Sequence, residues 1–236
     1  MNIKKHIPNI ITLLNLFCGC IAVVFVSKHN FQMAFLFVSL GIFLDFFDGF
    51  FARLFKVSSP FGLQLDSLAD MVTSGVVPGY VMYKLLTNNF AFGENSLLPY
   101  LGFIITLGAC YRLANFNIDT RQSDSFIGLP TPANALFVLS LPLILMDNQY
   151  TPWVDIVFNK WVLIAIGLLS AFVMNAEIPL FSLKIKNFSI KKNALQVFFL
   201  ATSVLLALLF KYLGVALIIV FYVILSVLNN TFTKKN

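Results

Sequence analysis

The sequence predicts an all-α membrane protein whose chain crosses the bilayer several times. Of its 236 residues, 59% are hydrophobic and 11% are charged, whereas about a quarter of the residues in an ordinary soluble domain are charged. The mean hydropathy is +0.88, and the apolar residues form long runs rather than the alternating pattern of a half-buried strand. A soluble core could not bury this much apolar surface, so the runs are expected to cross a lipid bilayer.

Eight helical spans follow from the lengths of these runs, each approaching the ~20 residues that a helix needs to cross the hydrocarbon core. Residues 58–62, with the sequence Ser-Ser-Pro-Phe-Gly, form a predicted turn between the second and third spans. Trp153 and Trp161 flank or enter the sixth span, as interfacial anchors do. The predicted spans are Ile7–Val26, Phe31–Leu54, Asp66–Leu86, Leu97–Asn117, Leu129–Met146, Trp153–Asn175, Leu195–Phe210 and Tyr212–Leu228.

The 16 lysines and arginines, which give a net charge of +6, are distributed unevenly between the two sides of the membrane. If the N-terminus is cytoplasmic, the outer side receives only Lys28, Lys84, Lys160 and Lys211. The positive-inside rule therefore predicts that both termini are cytoplasmic. The basic residues on the cytoplasmic side are then Lys4, Lys5, Arg53, Lys56, Arg112, Arg121, Lys184, Lys186, Lys191, Lys192, Lys234 and Lys235.

Four aspartates lie in apolar sequence near the cytoplasmic ends of the second and third spans. Asp45 and Asp48 are three positions apart and Asp66 and Asp70 are four apart, so each pair shares one helix face. Because the intervening turn reverses the chain, the two faces can meet. Carboxylates in apolar surroundings need partners or metal ions. An all-oxygen ligand set without His or Cys suits Mg²⁺, Mn²⁺ or Ca²⁺ rather than zinc.

Three neighbours of the first pair indicate the chemistry. Gly49 and Ala52 share the helix face of Asp48 and leave room for a ligand or another helix. Arg53 follows Gly49 by one turn, and a guanidinium suits a phosphate oxygen. Carboxylates that hold metals, together with an arginine, are the components of a phosphoryl-transfer site.

Two other interpretations of the acids remain open. In a purely structural one, the aspartates pair with Arg53, Lys56 or Arg112, although four acids outnumber these bases. In the other, the protein is a cation transporter and the carboxylates bind the transported ion. A transporter would hold such acids near the bilayer midplane, whereas here they cluster toward one end of the helices.

Eight positions of this region resemble the signature of the CDP-alcohol phosphatidyltransferase family. They form the pattern Asp45-x2-Asp48-Gly49-x2-Ala52-Arg53-x8-Gly62-x3-Asp66-x3-Asp70. The resemblance implies a single membrane domain over residues 1–236, with a six-helix catalytic core in residues 1–175 and an additional hairpin in residues 194–230. It also implies transfer of a substituted phosphate from a CDP-linked donor to an alcohol.

The resemblance also implies roles for individual residues. Two divalent cations, Mg²⁺ or Mn²⁺ with Ca²⁺ also suitable, would be held on the donor's pyrophosphate by the four aspartates, and Asp70 would take the proton of the attacking hydroxyl. Asn9 and Thr12 are polar on one face of the first helix and either reach the cytosine or form a helix-packing hydrogen bond. The expected donor-binding residues are Asn9, Thr12, Gly49, Ala52, Arg53 and Gly62.

Residues 7–19, 111–117 and 126–133 resemble the phosphatidylserine synthase branch of the family, which implies CDP-diacylglycerol as donor and L-serine as acceptor. Arg112 either holds the serine carboxylate or extends to the lipid headgroups. The branch often has a basic residue where this chain has Asn115, and Asn117, Asp119 and Thr131 also suit capping or turn roles. The expected serine-binding residues are Arg112, Asn115, Asn117, Asp119, Arg121 and Thr131.

The remaining expectations concern partners and location. The resemblance implies a homodimer in a bacterial inner membrane, with the active site facing the cytoplasm and with no nucleic acid as a partner. A related enzyme that uses glycerol 3-phosphate, inositol phosphate or another alcohol remains open. A phosphorylated acceptor would need more cations than Arg112 and Arg121 provide.

Overall fold

The computed structural model describes residues 6–87, 96–119, 127–147, 154, 158–181 and 193–233, and these are helical apart from short connections. Within this described part, helices α1, α2 and the range Ala194–Thr231 of α8 are long and apolar enough to cross a membrane. The predicted all-α membrane fold is confirmed. The helices are α1 (Ile7–Ser27), α2 (Phe31–Leu54), α3 (Pro60–Asp70), α4 (Val77–Thr87), α5 (Ile104–Phe116), α6 (Thr131–Met146), α7 (Lys160–Asn175) and α8 (Ala194–Thr233).

Helices α1 and α2 form an antiparallel hairpin that also supports α3, because α1 packs against both of the others. The connection is short: the Asn30 side chain accepts a hydrogen bond from the Met33 amide at 3.1 Å and caps α2. Small buried residues, including Ala22 on α1 and Ala34 on α2, bring the two helices close together. α1 is therefore in position to contact side chains from both acid-bearing helices.

The third helix begins at Pro60 rather than at the predicted Asp66. The Ser59 hydroxyl accepts a hydrogen bond from the Gly62 amide at 3.0 Å, and proline occupies the first helical position, where its missing N–H costs nothing. The predicted turn at residues 58–62 is thus wrong in extent, since residues 60–62 are helical. Asp66 consequently lies inside the helix, and Asp70 is its last residue.

A π-helix, Met71–Val76, follows Asp70 directly and joins α3 to α4. Pro78 has no N–H to donate to the preceding turn, so the normal helical pattern is interrupted there. The Thr106 hydroxyl of α5 donates to the Gly75 carbonyl at 3.0 Å and partners one of the π-helix carbonyl groups. π-Helical turns inside helices often occur at functional sites, and this one adjoins the predicted catalytic aspartate.

The later helices lie within the predicted spans or close to them, except that the helix of the sixth span begins seven residues after the predicted start at Trp153. A 3₁₀ segment, Leu98–Phe103, leads into α5, and α7 begins at Lys160, while Trp153 lies outside the described residues. Within α8 the backbone of Lys211 is non-helical, with φ 47° and ψ −117°. This break lies at the predicted boundary between the seventh and eighth spans.

A short segment before α6 joins three helices at one end of the bundle. The Gly128 amide donates to the Ile178 carbonyl at 2.9 Å, and the Leu129 amide donates to the Val173 carbonyl at 3.0 Å. Gly128 has a φ of 72°, a conformation that costs other residues about 1–2 kcal/mol. A Cβ atom there would also clash with the Met174 carbonyl and lie 2.9 Å from Nη1 of Arg112.

We therefore predict that Gly128→Ala lowers the stability of the detergent-solubilised protein by about 2 kcal/mol or more. The matched control is Gly167→Ala in α7, where an added Cβ would meet nothing within 4 Å. Removing glycine from a helix interior should instead stabilise by about 0.5–1 kcal/mol. Thermal unfolding followed by circular dichroism measures both changes. Equal melting temperatures for the two variants would contradict the role assigned to Gly128.

Candidate functional site

The structure brings three of the four predicted aspartates together. One carboxylate oxygen from each of Asp45, Asp48 and Asp66 lies within 4.8 Å of the others. Asp70 lies outside this close group, one turn beyond Asp66 on α3. Asp48 and Asp70 are buried, with exposed fractions of 6% and 8%. Two helices that are separated by a five-residue connection thus concentrate negative charge at one end of the bundle.

The oxygens of this group fit a divalent cation. Among the described residues, buried Oδ1 atoms of Asp45 and Asp66 have no hydrogen-bond partner. Metal–oxygen bonds are about 2.0–2.6 Å long, so two of them span about 4–5 Å, close to the separation of the three carboxylates. The donor set contains only oxygen, which suits Mg²⁺, Mn²⁺ or Ca²⁺. A purely structural interpretation leaves these orphaned oxygens unexplained.

Helix α1 supplies a hydrogen-bond donor to one aspartate of each pair. The Thr12 hydroxyl donates to Oδ2 of Asp48, and Nδ2 of Asn15 donates to Oδ1 of Asp70 at 3.2 Å. Asn15 was not among the predicted site residues. Its spacing of three positions from Thr12 places both on one helix face, and this was the available signal in the sequence.

A cavity of about 190 Å³ lies beside the carboxylates, between α1, α2 and α3. All six residues predicted to bind the donor are on its walls. α1 and α3 approach closely here. A Cβ atom added to Gly62 would lie 3.4 Å from Oδ1 of Asn9. The lining residues are Pro8, Asn9, Thr12, Asp48, Gly49, Ala52, Arg53, Val57, Ser58, Ser59, Gly62, Leu63 and Asp66.

Arg53 is the cation on the wall of this cavity. Its side chain is exposed and lies alongside Gly49, where a Cβ atom would be 3.4 Å from Nη1 of Arg53. The absence of a side chain at position 49 leaves the guanidinium and the Asp48 carboxylate on the same open wall. The cavity therefore combines a positive group for an anionic ligand with carboxylates for a metal ion.

Arg112, by contrast, has backbone partners. It is 7% exposed, and its Nη1 atom donates to the Ile127 carbonyl at 2.8 Å and to the Met174 carbonyl at 2.6 Å. The guanidinium thereby joins α5 to the segment before α6 and to the end of α7. This environment differs from the exposed position expected of a side chain that extends to the lipid headgroups.

The other residues predicted to bind serine are dispersed, and none of those described lines the cavity. Nδ2 of Asn117 donates to the hydroxyl of Ser67, at 2.9 Å, and so connects the end of α5 to α3. Ser67, three positions before Asp70, was missed in the sequence. Asn115 is exposed, Asp119 is half-buried and Thr131 is buried at the start of α6, while Arg121 lies outside the described residues.

Comparison with known proteins gives a consistent result. A model of the CDP-alcohol phosphatidyltransferase family matches residues 5–173. The chain is 41% identical over 145 residues to a CDP-diacylglycerol–serine O-phosphatidyltransferase of Helicobacter pylori (strain J99), with 61% of this chain and 59% of the relative covered. Proteins of the same name from Bacillus subtilis and Methanocaldococcus jannaschii are 36% identical over 152 residues and 34% identical over 163 residues.

These matches differ in how much of the relative they cover. The chain spans less than two thirds of the Helicobacter pylori protein, but 78% of the Bacillus subtilis protein and 69% of the Methanocaldococcus jannaschii protein. The match to the Bacillus subtilis protein covers 63% of this chain, and the match to the Methanocaldococcus jannaschii protein covers 69%. The family match includes the cavity, the four aspartates and α1 to α6.

The carboxylate geometry predicts that divalent cations stabilise the folded protein. At a Mn²⁺ concentration 100 times its dissociation constant, the gain should be about 2.7 kcal/mol, because the ion offsets repulsion between the acids. Asp66→Asn should lose most of this gain, whereas Asp147→Asn, at the far end of α6, should keep it. Thermal unfolding with Mn²⁺ and with EDTA measures the effect. Identical melting temperatures for the wild type in the two solutions would contradict a metal site.

Proposed function

The chain belongs to the CDP-alcohol phosphatidyltransferase family, and from this premise we propose that it transfers phosphatidyl from CDP-diacylglycerol to L-serine, yielding phosphatidylserine and CMP. The observation that carries the proposal is the cavity between α1, α2 and α3, where the six expected donor-binding residues meet Asp48 and Asp66. The names of the relatives support serine as the acceptor. The protein is an integral membrane protein, so its lipid donor is already in the bilayer.

In this proposal the donor's CDP group occupies the cavity. The Arg53 guanidinium binds a phosphate oxygen, and Gly49, Ala52 and Gly62 leave space for the nucleotide against the helix backbones. The side-chain amide of Asn9 is on the same wall and can hydrogen-bond the nucleotide. The acyl chains extend between helices in the cytoplasmic leaflet.

The four aspartates hold two divalent cations, Mg²⁺ or Mn²⁺, with Ca²⁺ also suited to the oxygen ligands. When bound, the ions neutralise the pyrophosphate and make CMP a better leaving group. Asp45, Asp48 and Asp66 form the close part of this ligand set, and Asp70 extends it by one helical turn. Thr12 fixes the Asp48 carboxylate through its hydroxyl.

Asp70 receives the proton of the serine hydroxyl as the hydroxyl oxygen attacks the β-phosphorus of the donor, the one that carries the diacylglycerol. A new phosphorus–oxygen bond forms, the bond to the CMP oxygen breaks, and CMP leaves with the electron pair. A carboxylate is a weak base toward an alcohol in water, but it can accept a proton that is being released in the transition state. No covalent enzyme intermediate is needed if both substrates bind together.

The acceptor is proposed to enter from the cytoplasm near the Ser67–Asn117 pair, because this pair is one helical turn from Asp70. Arg112 provides the buried positive charge nearby on α5, where it attracts the serine carboxylate while ordering the segment that precedes α6. Asn115, Asp119, Arg121 and Thr131 complete the set of proposed acceptor-side residues.

The remaining features of the proposal concern location and assembly. Both termini and the active site face the cytoplasm of a bacterial inner membrane, as the distribution of lysine and arginine supports. Residues 1–175 form the catalytic core and residues 194–230 an additional hairpin of the same domain. The protein is proposed to act as a homodimer.

The proposed reaction predicts that purified protein with CDP-diacylglycerol and Mn²⁺ releases CMP when L-serine is added. A panel of alcohols that includes glycerol 3-phosphate and inositol phosphate tests the acceptor, with phosphatidylserine identified by mass spectrometry. Asp70→Asn should lower kcat by about 10²–10⁴-fold while CDP-diacylglycerol still binds. Asp147→Asn is the matched control and should keep wild-type turnover.

Three results would count against this proposal. CMP release with glycerol 3-phosphate but not with L-serine would exclude serine as the acceptor. Wild-type turnover by Asp70→Asn would show that another group accepts the proton. Ion flux through reconstituted protein without any nucleotide would favour the transporter interpretation.

A further inference from the structure

We infer that Asn15 is a positioning residue for the transfer reaction, and this rests on the proposed role of Asp70. Asn15 has no exposed surface, and its Nδ2 atom donates to Oδ1 of Asp70 at 3.2 Å. The hydrogen bond restricts rotation of the Asp70 carboxylate, so that its other oxygen, Oδ2, could serve a metal ion or the acceptor hydroxyl. Asn15 does not line the cavity beside the acids, so we infer that it acts through Asp70.

Among the described residues, the amide of Asn15 is a hydrogen-bond donor that can define the rotation of the Asp70 carboxylate. The torsion about the Cβ–Cγ bond of aspartate is broad rather than confined to narrow wells. Asp70 is the last residue of α3 before the π-helix and lies outside the close group of Asp45, Asp48 and Asp66. A hydrogen bond from a buried amide is therefore the contact that orients it.

Asn15 is itself held in place from two sides. The hydroxyl of Thr73, in the π-helix, donates to the Asn15 carbonyl at 3.2 Å, so the turn that follows Asp70 is tied to the same residue of α1. On the side of α2, a Cβ atom on Gly41 would lie 2.8 Å from Oδ1 of Asn15 and 2.9 Å from Cγ2 of Thr73. The glycine thus allows α2 to press against the amide and restrict its movement.

Gly19 completes this arrangement one turn further along α1. A Cβ atom on Gly19 would lie 2.5 Å from the Thr73 hydroxyl oxygen, so a side chain there would displace the threonine that holds Asn15. Asn15 and Gly19 both belong to the segment 7–19 that resembles one branch of the family. Their contacts give these two positions a shared physical purpose, the orientation of Asp70.

The oxygen atom of the Asn15 side-chain amide indicates a functional role rather than a packing role. Its Oδ1 atom is buried and has no hydrogen-bond partner among the described residues. A buried unsatisfied oxygen destabilises the fold, so an apolar side chain would serve packing better. The assignment of the two amide atoms follows from the chemistry, since the opposite orientation would place the amide oxygen against a carboxylate oxygen.

Two substitutions at position 15 test whether the hydrogen-bond donor or the volume of the side chain matters. Asn15→Leu removes the amide at similar volume, and Asn15→Ala removes both the amide and the volume. Cys18→Ala is the control, because Cys18 is buried on the same face of α1 and belongs to neither the cavity nor the acid group. Each protein is assayed for kcat, for KM of CDP-diacylglycerol, for thermal unfolding and for Mn²⁺ binding by electron paramagnetic resonance.

Both Asn15 variants are expected to lose about 10–100-fold in kcat or in Mn²⁺ affinity, the usual effect of removing a partner that orients a ligand. The KM for the donor should stay near wild type in both variants, and the unfolding temperature should stay near wild type in Asn15→Leu. Cys18→Ala should match wild type in kcat, in KM and in Mn²⁺ binding. A fully active Asn15→Leu variant would show that the volume of the side chain alone matters. Loss of activity only in proportion to a lower unfolding temperature would show a structural role. Either result would overturn the inference.

The same experiment distinguishes this inference from the proposed function. If wild-type protein released no CMP from CDP-diacylglycerol with L-serine, the proposed reaction would fail, yet Mn²⁺ binding would still report on Asn15 and Asp70. If wild-type protein were active and both Asn15 variants retained its turnover and Mn²⁺ affinity, only the inference about Asn15 would fail.

Discussion

The removal of four carboxylates from water, two of them buried and two half-buried, at one end of a membrane helix bundle is the constraint on which the rest of this structure depends. Such groups need hydrogen-bond donors or cations once they leave water. Helix α1 provides two donors, the Thr12 hydroxyl and the Asn15 amide. The orphaned oxygens of Asp45 and Asp66 leave the remaining charge for divalent ions. The packing of α1 against both acid-bearing helices follows from this requirement.

The cavity beside the acids is a consequence of the same arrangement. Three helices meet there through small residues, so that Gly49 and Gly62 place backbone, and Ala52 only a methyl group, on its walls. A nucleotide in this space would have its phosphates between the Arg53 guanidinium and the carboxylates of Asp48 and Asp66. The catalytic power of such a site comes mainly from positioning and charge neutralisation, which a membrane helix bundle can supply without a soluble domain.

Much of this architecture was predictable because bilayer thickness and helical periodicity act on local sequence. The spans, the break at Lys211 and the pairing of acids at spacings of three and four all follow from them. The start of α3 was misjudged because a Ser-Pro sequence suits both a turn and a helix N-terminus, and only the Ser59–Gly62 hydrogen bond distinguishes the two. The contacts of Asn15, Ser67 and Arg112 depend on helix rotation and on distant carbonyl groups, which local sequence does not specify.

The central claim is that the four aspartates of α2 and α3 jointly bind divalent ions beneath a CDP-lipid. Crystals grown with Mn²⁺ and CDP-diacylglycerol, measured at a wavelength where manganese scatters anomalously, test it most directly. We predict anomalous peaks about 2.0–2.6 Å from oxygens of these aspartates, with the pyrophosphate density against the same ions and the cytidine in the cavity. Nucleotide density in the cavity without manganese at the aspartates, or manganese bound elsewhere, would contradict the account.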